Sequence, residues 1–234
     1  MLSKRLSECL NLILGTTLAD IGADHGYASI EAVKRGIVAK AYACDINPGP
    51  LAQAQENILN SGLSSKVIPC LKDGMMGLFS DVDCILIAGM GGYLMKDILT
   101  KGNHDRDYCL VLSPNNEAFL VREWLMNNGY CIMNEKIVFE RNHFYEIIQA
   151  KKGKMRLSPL ELAFGPININ NQDEAFLKKQ KMILASLEKI DLAKVKNQEE
   201  IINKMELILS VVLLLKKPSV IKGVFNNLYS LTTF

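Results

Sequence analysis

The chain has 234 residues, 49% of them hydrophobic and 22% charged, with a formal net charge of +2. That composition excludes a disordered or collagen-like chain and suits one large domain, or one domain with an appendage. The longest apolar run, Leu207–Leu215, is interrupted by Ser210, and the opening stretch contains Glu8 and Asn11. Neither spans a bilayer, which takes about 20 apolar residues, nor reads as a signal peptide, so a soluble cytoplasmic protein is expected.

The first element is a helix within Leu2–Leu14, with apolar residues at 6, 9, 10 and 13 and Ser3 placed to cap it. Five strand-like runs follow: Thr17–Ile21, Lys40–Cys44, Lys66–Leu71, Val82–Ala88 and Tyr108–Leu112. Helical spacing fills the intervals at Tyr27–Arg35, Leu51–Ser61 and Tyr93–Thr100, and again at Ala118–Asn127. This rhythm predicts a mostly parallel sheet with helices on both faces. Tyr130–Phe139 and His143–Ala150 are rich in β-formers and read as a closing antiparallel hairpin.

At "KKGKMRL", residues 151–157, the composition shifts, and a connector punctuated by Pro, Gly and Asn follows. Domains are therefore expected at 1–155 and 156–234. The second holds two helical patterns, Gln172–Ile190 and Gln198–Lys216, joined near "DLAKVKN" at 191–197. They predict an antiparallel, coiled-coil-like helical hairpin. Pro218–Phe234 has no clear period. Residues 1–150 carry 13 basic and 17 acidic side chains, residues 151–234 carry 14 and 8, so a polyanionic partner is expected for the second part. The six cysteines form no C-x-x-C pair, which leaves a zinc site unsupported, and they read as small buried residues in a reducing compartment.

The chemistry collects at the strand ends. In an open parallel sheet, ligands bind where the strands finish. The first strand ends in "ADIGADHGY", 19–27, with Gly22 and Gly26 for a tight turn and a close approach. Asp45 ends the second strand about 20 residues on, where an acid accepts from ribose hydroxyls. Asp73 and Gly74 follow the third strand, where an adenine ring would lie. The fourth strand ends in Ala88-Gly-Met-Gly-Gly92 and the fifth in Ser113-Pro-Asn-Asn116. A nicotinamide site needs a pyrophosphate at a helix N-terminus, and Asp20 and Asp24 would repel one. The same acids suit a cationic ligand, S-adenosylmethionine. A methyltransferase of RNA, of a protein or of a small molecule, and a non-catalytic nucleotide binder, all remain open at this level.

The motifs "LSKRL" at 2–6, "ADIGADHGY" at 19–27, "IAGMGG" at 87–92, "LSPNN" at 112–116, "VREWL" at 121–125, "FYEII" at 144–148 and "LAFGP" at 162–166 resemble the bacterial tRNA (adenine-22-N1)-methyltransferases. The resemblance covers nearly the whole chain except the tail beyond Lys217. It implies a Rossmann-like class I methyltransferase fold with a two-helix appendage, S-adenosylmethionine as cofactor, tRNA as partner, and no metal or membrane. Asp20, Gly22, Asp24, His25 and Gly26 would then line the methionine end, with Asp45, Ile46, Asp73, Gly74, Ala88 and Gly89 completing the cofactor pocket. Gly89, Met90 and Asn115 would face the target base, with His25 a candidate proton acceptor. Lys4, Arg5, Tyr27, Asn116, Lys151, Lys152, Lys154, Arg156, Lys178, Lys179 and Lys181 are the candidate RNA contacts. Trp124 is expected in the core, Ser29 and Ser113 receive no role, and a monomer is the simplest oligomeric expectation.

Overall fold

The computed structural model describes residues 2–187, 189–190 and 198–214. The chain divides into two compact units, residues 1–167 and 168–234. In the first, β1 (Thr17–Ile21), β2 (Lys40–Asp45), β3 (Val67–Leu71), β4 (Cys84–Ala88), β5 (Cys109–Ser113), β6 (Tyr130–Glu140) and β7 (His143–Lys152) form one sheet in the order β3-β2-β1-β4-β5-β7-β6. Strands β1 to β5 pair in parallel, and β7 pairs antiparallel with both β5 and β6. This is a Rossmann-like mixed sheet whose closing hairpin lies at one edge.

Side-chain alternation along each strand makes two cores. Leu18, Ala43, Leu86 and Val111 face one side, with Cys9 and Leu10 of α1 (Lys4–Asn11), Ile30 and Val33 of α2 (Tyr27–Lys34) and Ile58 of α3 (Pro48–Asn60). Ile21, Ile85, Ile87 and Leu110 face the other, with Met95 and Leu99 of α4 (Gly92–Lys101) and Val121, Trp124 and Leu125 of α5 (Ala118–Asn127). Trp124 is buried and its indole N–H donates to Thr100 Oγ1 at 2.9 Å, as expected for a core residue. Five of the six cysteines stand in strands, all six are free thiols, and Cys70 and Cys131 are only partly buried.

Most element bounds differ from the sequence reading by one to three residues, and two larger differences have a physical reason. α3 begins at Pro48 because proline at N1 is compatible with a helix start, where its missing N–H costs nothing. The connector contains two short helices, α6 (Pro159–Phe164) and α7 (Pro166–Asn171). "SPLE" carries the signal for the first: Ser158 Oγ accepts from Glu161 N–H while Glu161 Oε2 accepts from Ser158 N–H at 2.8 Å, a reciprocal capping box.

The second unit contains α8 (Glu174–Leu187) and α9 (Gln198–Leu214), which pack together and bury Phe176, Gln180 and Leu184 from one helix and Met205, Ile208 and Val211 from the other. The joining segment 191–197, Lys216 and the stretch 218–234 lie outside the described residues. No helix among the described residues is long and apolar enough to cross a membrane.

One buried charge cluster ties the hairpin to its neighbours. The Arg122 guanidinium on α5 is fully buried. It donates to Glu135 Oε1 on β6 at 2.7 Å, to Glu146 on β7 and to the Leu162 carbonyl of α6 at 3.1 Å. Glu135 Oε2 accepts the Ile167 N–H at 3.0 Å, and the absence of a side chain at Gly165 admits that carboxylate. Burial, with a smaller push from the charge of Glu146, raises the Glu135 carboxyl, and the adjacent guanidinium opposes that shift. Replacing Arg122 by Met would strand two carboxylates in a dry site. Loss of one partner from such a cluster costs about 3–5 kcal/mol, so urea unfolding of Arg122→Met is expected to show a drop of that order.

Candidate functional site

The order of strands reverses between β1 and β4, which are neighbours although β2 and β3 lie between them in the chain. The connections leave in opposite directions there, and the carboxyl ends of the strands open into a crevice. A cavity of about 590 Å³ occupies this position, within the range of small-molecule sites. Its lining brings together Asp20, Gly22, Asp24, His25, Asp45, Ile46, Asp73, Gly74, Ala88, Gly89 and Met90, with Arg5 and Tyr27 at the same cavity. Gly26 does not line it. That glycine is the left-handed N-cap of α2, packed against Ala54 of α3.

Asp20 is the most buried acid here. Its Oδ2 accepts the Ser29 hydroxyl of α2 at 2.8 Å, so Ser29 acquires a role that sequence reasoning had not assigned. Burial pushes the Asp20 carboxyl up to about 6, partly offset by the Ser29 hydrogen bonds and reinforced slightly by the charge of Asp45. Asp45 closes β2 and is also buried. Its two oxygens accept the backbone N–H groups of Asn47 at 2.9 Å and Asp24 at 3.3 Å. These bonds aim the carboxylate and leave lone pairs for a diol. Asp24 takes a left-handed backbone conformation, φ 50°, and its exposed carboxylate lies 3.6 Å from His25 Nε2. His25 Nδ1 points inward with no hydrogen-bond partner among the described residues.

Two loops meet over the β4 end. The Met90 side chain lies over Gly22, at a point where any side chain on residue 22 would overlap its methyl group. The Gly92 N–H, at the start of α4, donates to Asn116 Oδ1 at 3.1 Å. Asn116 therefore caps a helix. A Cβ at Gly92 would lie 2.6 Å from the Glu117 carbonyl oxygen, so the loops after β4 and β5 touch backbone to backbone. Asn115 is fixed in both directions: Nδ2 donates to the Gly89 carbonyl at 2.7 Å, and Oδ1 accepts from Arg5 at 2.9 Å. That pairing sets which end of the amide is oxygen.

The basic candidates separate. Lys4 and Arg5 begin α1, near the loop after β5. Lys151 and Lys152 end β7, two residues beyond the pairing of Leu110 with Ala150, and so stand toward the opposite edge of the sheet. Lys154 and Arg156 are exposed in the connector, and Lys178, Lys179 and Lys181 lie on α8. Lys72 and Lys101 also line the cavity, but each is held by a partner, Lys72 over the Phe79 ring and Lys101 by Asp97 at 2.7 Å. The wall near the glycine loop thus presents acids to a ligand.

That donor set fits a cationic nucleoside. Among the described residues no group of His, Cys, Asp or Glu is arranged to hold a metal ion.

Residues 2–148 match the family described as methyltransferase domain. The chain is 34% identical over 188 residues to the tRNA (adenine(22)-N(1))-methyltransferase of Bacillus subtilis strain 168, covering 76% of this chain and 79% of that one. The crystal structure of the B. subtilis M1A22 tRNA methyltransferase TrmK superposes with a TM-score of 0.80 at 30% identity, covering 91% of this chain and 99% of that one. The M. capricolum TrmK structure in complex with S-adenosyl-homocysteine gives 0.81 at 29% identity, with 92% and 99% covered.

Crowding at Gly92 generates a direct expectation. Gly92→Ala must push the two loops apart, at a cost of about 1–3 kcal/mol for overpacking. Thermal unfolding of the variant should shift down accordingly. A melting curve identical to the wild type would mean that the backbone contact with Glu117 does not exist in solution.

Proposed function

We propose, from the premise that this chain belongs to the tRNA (adenine(22)-N(1))-methyltransferase family, that it transfers a methyl group from S-adenosylmethionine to N1 of adenine 22 in tRNA, in the cytoplasm. The observation that carries this reading is the acid-lined cavity at the reversal of strand order, where a diphosphate would be repelled and a sulfonium nucleoside attracted.

When bound, S-adenosylmethionine supplies an electrophilic methyl on a positively charged sulfur. Asp20 and Asp24 are the residues suited to its cationic methionine end, Asp45 to the ribose hydroxyls, and Asp73 beside Ile46 and Gly74 to the adenine. On the acceptor side, adenine N1 carries an in-plane lone pair and needs no covalent help from the protein. The lone pair forms the new N–C bond, and the pair of the breaking S–C bond stays on sulfur. The protein's task is to hold the two partners in line. The base gains positive charge, and we assign the Ala88 and Gly89 carbonyls at the cavity, with Asn115 Oδ1 beside them, as the acceptors for its amino group. Met90, lying over Gly22, contributes to the floor between the two sites. N1 is on the pairing edge, so the base must leave its stack to react, and exposed Tyr27 offers a ring on the cavity side.

The α8 and α9 pair buries residues 176, 180 and 184 and residues 205, 208 and 211, four and three apart. That spacing supports a coiled-coil-like hairpin, and Lys178, Lys179 and Lys181 give it a basic side for tRNA.

Incubation with labelled S-adenosylmethionine and transcribed tRNAs is expected to label only those containing A22. Label on protein or metabolite alone would replace the tRNA reading. Calorimetric titration with S-adenosylhomocysteine should lose at least about tenfold in affinity for Asp45→Ala, the loss of one charged hydrogen-bond acceptor; equal affinity would remove Asp45 from the ribose site. The pH dependence has a definite sign. The Asp20 carboxyl titrates at about 6 in the free protein. A ligand ammonium beside it favours the ionised form, so binding near and below that pH must expel a proton. Affinity for S-adenosylhomocysteine should therefore weaken as pH falls from 7 to 5 and level off above 7, a dependence that Asp20→Asn removes.

A further inference from the structure

The β6–β7 hairpin is longer than the sheet it closes. Pairing between β5 and β7 ends at Leu112 with Ile148, whereas the β6–β7 ladder runs on to Glu140 with His143. Five further residues of β7, 143–147, therefore continue past the last pairing with β5, about 17 Å at 3.4 Å per residue. Because β7 runs antiparallel to β5, this overhang rises on the carboxyl edge, the edge that holds the cavity. The arm ends in a two-residue turn, Arg141 and Asn142, both left-handed at φ 48° and 62°. That is the tight hairpin turn whose twist matches the strands, and it puts Arg141 at the tip.

The arm is fastened to the acceptor side of the site. His143 Nε2 lies 3.3 Å from the Asn115 carbonyl oxygen. The Arg5 guanidinium stacks over the Tyr145 ring at 4.7 Å while donating to Asn115 Oδ1. The Glu140 carboxylate accepts the backbone N–H groups of Lys4 at 2.8 Å and Arg5 at 3.3 Å, which pins the start of α1 to the arm. Lys4, Arg141 and His143 are exposed at the end of this assembly. Two of the arm's own acids are already committed, Glu140 to α1 and Glu146 to Arg122.

We propose that the hairpin arm, with Lys4, Arg141 and His143 at its rim, is the surface that grips the phosphodiester backbone flanking the target adenine. The inference rests on the tRNA reading of the site. An extruded base lies beside Asn115 and Gly89, and its two neighbouring phosphates must then pass within reach of a wall rising next to that loop. Positive charges on such a wall neutralise phosphates and release counterions, giving affinity that is independent of sequence but fixes register. Lys151 and Lys152, on the same strand, stand toward the opposite edge of the sheet and cannot serve the same nucleotides.

The test compares Lys4→Ala/Arg141→Asn with Lys151→Ala/Lys152→Ala in the full chain. Asparagine at 141 tolerates the left-handed turn, so the arm keeps its shape. Binding of an A22-containing tRNA transcript is followed across salt concentrations, together with KM for methylation and affinity for S-adenosylhomocysteine. For the Lys4/Arg141 variant the salt slope is expected to fall by about one unit per cation removed and KM to rise about tenfold, with cofactor-product affinity as in the wild type. The Lys151/Lys152 variant should show the smaller change. An unaltered slope and KM in the Lys4/Arg141 variant, or a loss confined to Lys151/Lys152, would overturn the proposal while wild-type methylation of A22 leaves the functional reading intact. If the wild type fails to methylate that RNA, the functional reading falls instead, and the salt slope of direct binding still decides the role of the arm.

Discussion

The site depends on one topological constraint, the side-by-side pairing of β1 and β4. From β1 the chain builds outward through β2 and β3, then returns to β4 and builds the other way. Only at that junction do two loops leave the sheet in opposite directions and open a crevice between them. The acids after β1 and the glycines after β4 are far apart in the chain and adjacent because of it. Packing keeps them there: Met90 lies over Gly22, and the Gly92 backbone is in contact with Glu117. At Gly92 the neighbour is backbone, so no side chain fits there without moving the loop after β5.

Electrostatics follows from where those loops put their carboxylates. Asp20 faces α2 and accepts the Ser29 hydroxyl; burial raises its carboxyl above the usual carboxylate range, and the Ser29 bond opposes that shift. Asp45 is buried too, but its two oxygens each accept a backbone N–H group, which fixes the direction of the carboxylate. Two acids at neighbouring strand ends are thus prepared differently. One is a carboxylate costly to ionise until a cation arrives, and the other is an aimed acceptor. Asn115 is prepared in the same sense, since a carbonyl on one side and a guanidinium on the other determine its orientation.

The closing hairpin has two dependencies. Its base is welded to α5 and the connector by Arg122, Glu135 and Glu146, a cluster that is stable only when complete. Its free end leans on α1 and the loop after β5 through Glu140, Tyr145 and His143. Rigidity at the base allows an exposed two-stranded arm, which would be marginal alone, to hold a defined position beside the cavity.

Local pattern determined much of this protein. Short apolar runs ending in polar or glycine-containing turns marked the five parallel strands, and Asp45, about 20 residues beyond the first turn, lines the cavity as its place at a strand end implied. Where a residue's partner lies far along the chain, only the tertiary structure decided. Ser29 gained a function from Asp20, and Asn116 proved to be a helix cap. Arg5 joined Asn115 across more than a hundred residues, and the antiparallel register of β7 sent Lys151 away from the site while raising Arg141 beside it. The physical reason is that a strand's hydrophobic alternation encodes which face is buried, whereas the direction and register of its pairing come from the sum of contacts along its neighbours.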